Sequence, residues 1–190
     1  MPIDKSISEN RSTRILYKYV AVISAVVILT TTAYGLIEAT RQYLAGDLIT
    51  IGETLVTVGF PFPFFAKPVT YLSISSVVGW FALIQLNQKR IHQMAKLRRS
   101  VLSILAAALV FASFYEMAYN FIVWNALITA DAISGQIRID LLNINYPIPS
   151  IPWNLVFATK MFAALFAISL YSFIVLQSVD WRQQPKLRSR

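Results

Sequence analysis

Hydrophobic residues in this chain neither alternate nor keep to one helical stripe. They come in four long runs. Tyr19 to Ile37 carries no charge and lies between Lys18 and Glu38. Pro68 to Gln88 carries none and lies between Lys67 and Lys89. Ser100 to Ala130 contains only Glu116, and Trp153 to Val179 only Lys160. A helix crossing the hydrocarbon core of a bilayer needs about 20 mostly apolar residues. A soluble bundle can bury one helix without a polar face, but not four. The pattern therefore predicts an all-α membrane protein with four transmembrane helices, at about 19–37, 68–88, 100–125 and 153–177.

The segments between the runs repeat. Ala33-Tyr34-Gly35-Leu36-Ile37 is echoed 85 residues later by Ala118-Tyr119-Asn120-Phe121-Ile122. Phe60-Pro61-Phe62-Pro63 is echoed 86 residues later by Tyr146-Pro147-Ile148-Pro149. Arg11 and Arg14 before the first span correspond to Lys96 and Arg99 before the third. The fold expected from this is two duplicated hairpins of the same orientation, related by an axis along the membrane normal. The alternative is chance likeness between apolar segments. Each loop after the first helix of a hairpin is β-prone. Leu48 to Val58 reads as two short runs about Gly52-Glu53, and Gly135 to Tyr146 alternates apolar and polar residues. Prolines 61, 63, 147, 149 and 152 hold the following stretches extended, and Pro68 suits the first turn of a helix. Phe60, Phe62, Phe64, Phe65, Tyr146 and Trp153 are placed for the interfacial aromatic belt.

Charge orients this arrangement. Of 17 basic residues, 13 precede span one, lie between spans two and three, or follow span four. Only Arg41, Lys67, Arg138 and Lys160 remain. The positive-inside bias puts both termini in the cytoplasm, with residues 1–18 as a basic lead, 19–179 as the four-span domain and 180–190 as a basic tail. The first run is too long for a cleaved signal peptide and reads as an uncleaved anchor. The net charge of +8 is then a topology signal and a means of holding anionic headgroups, not evidence of nucleic-acid binding. Membrane lipid is one expected partner.

Composition removes several chemistries. Apolar residues make up 56% and charged ones 14% of the chain, against about 25% charged in soluble domains. With no cysteine and one histidine, neither a thiolate site nor a multi-histidine metal centre can be assembled within one chain. His92 lies among cations in the loop Lys89 to Arg99 and reads as solvated. No phosphate loop, nucleophile set or carboxylate pair is visible. No cofactor is expected.

Two charges sit inside spans. Glu116 lies roughly 25 Å along the helix from Arg99, and Lys160 roughly 10 Å beyond Trp153, at about 1.5 Å per residue. At similar depth, a Glu116–Lys160 pair would account for both. The other readings are snorkelling of Lys160 to the headgroups, or Glu116 as a proton or cation ligand on a transport path. Tyr115, Tyr119, Asn120 and Asn125 surround Glu116. Residues 116, 119, 120 and 123 share a helical face. Tyr115, Tyr119 and Asn120 are the candidates for contact with another subunit. Ser73, Ser75, Ser76 and Gly79, and Ala106 to Ala108, are small-residue stripes that allow close helix packing.

The segments Phe114 to Asn125 and Tyr146 to Trp153 resemble small four-span proteins of ammonia-oxidising archaea, some of which are regarded as accessory subunits of archaeal ammonia monooxygenase, a copper-dependent membrane complex. The likeness covers mainly the second half and carries over no catalytic or metal-binding residue. It implies a structural or assembly role beside a catalytic neighbour. The expected function is a non-catalytic membrane subunit of a larger complex, with other membrane subunits as partners. The alternative is a small ion or solute carrier with Glu116 on its path.

Overall fold

The structure, a computed structural model, describes residues 3–47, 50–59, 66–135 and 154–183, with side chains described from 11 and up to 178 within those ranges. It contains α1 (Ile3–Leu44), α2 (Glu53–Thr57), α3 (Pro68–His92), α4 (Lys96–Ile133) and α5 (Leu155–Gln183). The four long helices are each long and apolar enough to cross a membrane. This is a multi-pass membrane architecture.

The helices outrun their apolar segments because polar ends continue the same hydrogen-bond ladder into the headgroup region. At 42 residues, α1 is about 63 Å long, and at 38 residues α4 is about 57 Å, against a hydrocarbon core of about 30 Å. Both overrun the ends expected from hydropathy and stop on a glycine. After α1, Gly46 takes φ 89 and the Asp47 amide reaches back to Gln42 O at 3.1 Å. After α4, Gly135 takes φ 72 and its amide reaches Ala132 O at 3.3 Å. A left-handed residue here satisfies carbonyls that the helix end leaves bare. Pro68 opens α3 at a position where no amide donor is needed. Asn154 caps α5, its Oδ1 accepting the Phe157 amide at 3.0 Å.

The long helices stand in a row, in the order α1, α3, α5, α4. The second helix of each sequential pair is therefore central, and the first is peripheral. α1 and α3 run antiparallel, with Gly79 against Ser24 and Tyr17 edge-on to Phe81 at 5.9 Å. α4 and α5 run antiparallel, with Phe114 beside Phe166 at 5.8 Å and Gln177 Nε2 donating to Ser103 Oγ at 2.9 Å. Every seventh residue of α4, from Arg99 through Ala106 and Ser113 to Asn120, is buried, so the α5-facing side of α4 is narrow and made largely of small residues. α3 and α5 run parallel and are joined by hydrogen bonds. Lys160 Nζ donates to Thr70 Oγ1 at 3.0 Å, Trp80 Nε1 to Ser172 Oγ at 2.8 Å, and Gln85 Nε2 to Tyr171 OH at 2.7 Å. Bonds of this kind fix register where lipid offers the helices no competing partner.

The end of the row that carries the α3–α4 turn is the basic end. At the opposite end, α2 inserts among α1, α3 and α5. Leu55 and Val56 of α2 pack with Val69 and Leu72, and with Ile28, Val156, Phe157 and Met161 around them. This corrects the β-prone reading of the first loop: Glu53–Thr57 is a helical turn. Five residues do not hold a helix by propensity. Burial of Leu55 and Val56 side by side outweighs the β preference of Thr54 to Val58. Among the described residues no strand forms. Isolated bridge positions occur at Ile51, Ala66 and Asn154, and the Asn154 amide donates to Ile51 O at 3.1 Å. Most of the second β-prone loop lies outside the described residues. So do Phe60 to Phe65 and Tyr146 to Trp153, with both proline motifs and the expected aromatic belt.

Candidate functional site

The two charges expected within the spans lie on neighbouring helices, α4 and α5. Two contacts fix their relative height: Ser103 is level with Gln177, and Phe114 with Phe166. By that antiparallel register, Lys160 is level with Asn120 and Glu116 with Ala164. The charges are thus one helical turn apart in depth, about 6 Å. Lys160 points across the centre of the row, where its ammonium donates to Thr70 Oγ1 at 3.0 Å and Ser73 Oγ approaches its backbone carbonyl at 3.5 Å. Glu116, on α4, is half-buried. Neither joins an ion pair among the described residues. The expected Glu116–Lys160 pair is not formed.

The Thr70–Lys160 contact has a measurable consequence. Thr70→Val removes the acceptor and leaves a half-buried ammonium without it, at an expected cost of about 1–2 kcal/mol. In a Lys160→Met background the same change should cost almost nothing. Chemical denaturation of the four proteins in detergent gives the coupling. Equal losses in both backgrounds would show that Thr70 does not serve Lys160.

Around Glu116 the residues expected to meet a partner divide. Tyr115 and Tyr119 are 65% and 44% exposed and lie one turn apart with rings stacked at 6.3 Å and 12°. They make an open aromatic ledge beside the carboxylate. Asn120 is turned inward at 2% exposure, on the side of α4 that packs on α5 of the same chain. Its side chain is not available to a second protein. Asn125 Nδ2 donates to the Phe121 carbonyl of its own helix at 2.8 Å.

At the basic end, His92 Nδ1 lies 2.7 Å from Gln88 O. Among the described residues no group of three His, Asp or Glu side chains comes together. The opposite end holds two features the sequence reading did not single out. Lys67 Nζ donates to Thr57 O at 2.7 Å, binding α2 to the start of α3. Asn154, fully buried, joins the first loop to α5. An Asn directly before an apolar run is a helix-start signal and was open to recognition. The Lys67 contact links residues ten apart and had no such signal.

No protein-family model, no curated protein and no solved structure matches this chain.

Proposed function

We propose that this chain is a non-catalytic integral membrane subunit that helps to structure or assemble a larger membrane complex. The observation carrying this reading is the α4 flank. Glu116 sits within an apolar span with no ion-pair partner among the described residues, beside an open stacked pair, Tyr115 and Tyr119. A carboxylate facing lipid is costly. A donor from a neighbouring subunit would remove that cost, and tyrosines are favoured at such contacts because they combine apolar area with a polar tip. The row also leaves α1 and α4 at its two ends, each open along one side. The carrier reading draws less support, since among the described residues the end helices of the row stand apart and enclose no water path.

Two finer readings belong to the same proposal. Both termini are cytoplasmic, because the α3–α4 turn and both tails carry the basic residues. The chain is a duplicated hairpin. The α3–α5 hydrogen bonds join residues 90, 92 and 86 apart, close to the sequence offsets of 85 and 86. Equivalent positions meet at equal depth if a twofold axis passes between α3 and α5. The resemblance of the second half makes an archaeal ammonia monooxygenase the first host complex to test.

A photoreactive residue at position 119, in membranes of the source cells, should give an adduct with a second protein. The same probe at position 104, where Ile104 is 69% exposed elsewhere on α4, should label lipid. If both positions label lipid only, and native gels show the chain as a monomer, the subunit reading fails.

A further inference from the structure

α3 and α4 are joined only by Gln93, Met94 and Ala95, yet they pack on α5 rather than on each other. Helices joined so tightly are ordinarily neighbours. Here α5 forms the floor between them, and an apolar groove of about 460 Å³ stays open with α3 and α4 as its walls. That volume is within the range of small-molecule sites, about 300–1,000 Å³. Along α3 the groove runs from Ile91 to Trp80, and from Met94 in the turn it continues along α4 from Leu102 to Leu109. The α3 wall is thus about 16 Å long at 1.5 Å per residue, close to half of the roughly 30 Å hydrocarbon core, or one leaflet. Its floor includes Leu165 and Ile168 of α5.

The two ends of the groove differ in charge. Its upper end, at Trp80 and Leu109, lies in the middle of the spans. Its mouth lies at the α3–α4 turn, where Lys89, Arg90, Lys96 and Arg98 are all exposed. No Asp or Glu occurs anywhere between Glu53 and Glu116, so no acid on α3, the turn or the first half of α4 offsets these cations. A one-leaflet apolar slot beneath a cationic rim matches a molecule with one long hydrocarbon chain buried and a negative group at the surface. A partner helix would match the slot but would leave the rim charges without a counterpart.

We infer that the groove between α3 and α4 holds one hydrocarbon chain of an anionic phospholipid from the leaflet at the basic end, with the headgroup phosphate held by Arg90, Lys96 and Arg98. The site depends on the membrane architecture and not on the subunit role. Each cation contributes attraction to a negative headgroup, and the slot adds contact along the chain that a flat helix face does not offer. This lipid is a fixed component of the fold, filling the space that α5 keeps between two helices joined by a short turn.

Trp80 lines the groove and serves as the probe. In a full-length protein with Trp124, Trp153 and Trp181 replaced by Phe, Trp80 fluorescence is followed in phosphatidylcholine vesicles. Phosphatidylglycerol or phosphatidylcholine brominated in mid-chain is then added. Brominated phosphatidylglycerol should reach half-maximal quenching at a mole fraction about five-fold or more below that of brominated phosphatidylcholine. R90Q/K96Q/R98Q should abolish that difference while leaving quenching by phosphatidylcholine unchanged. Identical curves for the two lipids in the parent protein would overturn the site. Absence of quenching by either lipid would equally overturn it, since the groove would then be filled by protein. Neither result bears on the contact tested at position 119.

Discussion

Gly52→Val should destabilise the protein by roughly 2–5 kcal/mol. Gly52 has φ 84, a left-handed conformation that costs an L-residue with a Cβ about 1–2 kcal/mol. A Cβ placed there would also fall 2.1 Å from Phe157 Cγ, and relieving such overpacking typically costs about 1–3 kcal/mol. The two contributions can be separated. Gly46 has a nearly identical φ of 89 but nothing within 4 Å of its would-be Cβ, so Gly46→Ala should pay only for the backbone. A Phe157→Ala background should recover the steric part of the Gly52→Val loss and leave the conformational part. The measurement is denaturation in detergent across these variants. Equal losses at positions 46 and 52 would mean that α2 does not sit against α5 as described.

Gly79→Leu is the second large change. Gly79 is an ordinary helical residue, so alanine there gains about 1 kcal/mol of helix propensity, but a Cβ would meet Ser24 Cβ at 2.7 Å. Neither group is a flexible chain end, so α1 and α3 must separate to admit it. α1 packs chiefly on α3 within the chain and has no second long helix to hold it. The expected result is detachment of α1 from α3 over the Ser24 level, with α3, α4 and α5 retained. Because the chain lacks cysteine, a Tyr17→Cys/Phe81→Cys pair reports the contact directly. Its oxidative cross-linking should fall several-fold on Gly79→Leu and be largely restored by Ser24→Gly. Unchanged cross-linking would place the α1–α3 contact elsewhere.

These two glycines show how far the sequence could be read. Gly79 belongs to the small-residue stripe with Ser73, Ser75 and Ser76, and such a stripe signals close packing without naming the partner helix. The four spans were legible because a run of 19 or more residues with at most one charge has few soluble uses. Their ends were not. Hydropathy falls at the headgroup region while the hydrogen-bond ladder continues until Gly46 or Gly135 ends it. Gly52 was read as a turn between β runs, correctly as to its conformation, but the burial that makes Leu55 and Val56 helical comes from α1, α3 and α5. For Glu116 and Lys160, sequence spacing gives depth along a helix axis. Which way each side chain points depends on the order of helices in the row, and no local pattern encodes that α5 lies between α3 and α4. Asn120 shares a face with Glu116 and also continues the buried series through Ala106 and Ser113. That seven-residue spacing was present in the sequence and indicates that it turns inward.

The membrane topology is the premise beneath both the subunit proposal and the lipid groove. Single cysteines at positions 6, 93 and 189, and at 45 and 134, can be labelled in the otherwise cysteine-free chain with a membrane-impermeant maleimide on intact cells. Positions 45 and 134 should label at once, and positions 6, 93 and 189 only after permeabilisation. Labelling of position 93 together with 45 or 134 before permeabilisation would contradict the four-span arrangement, and labelling confined to 6, 93 and 189 would reverse its orientation.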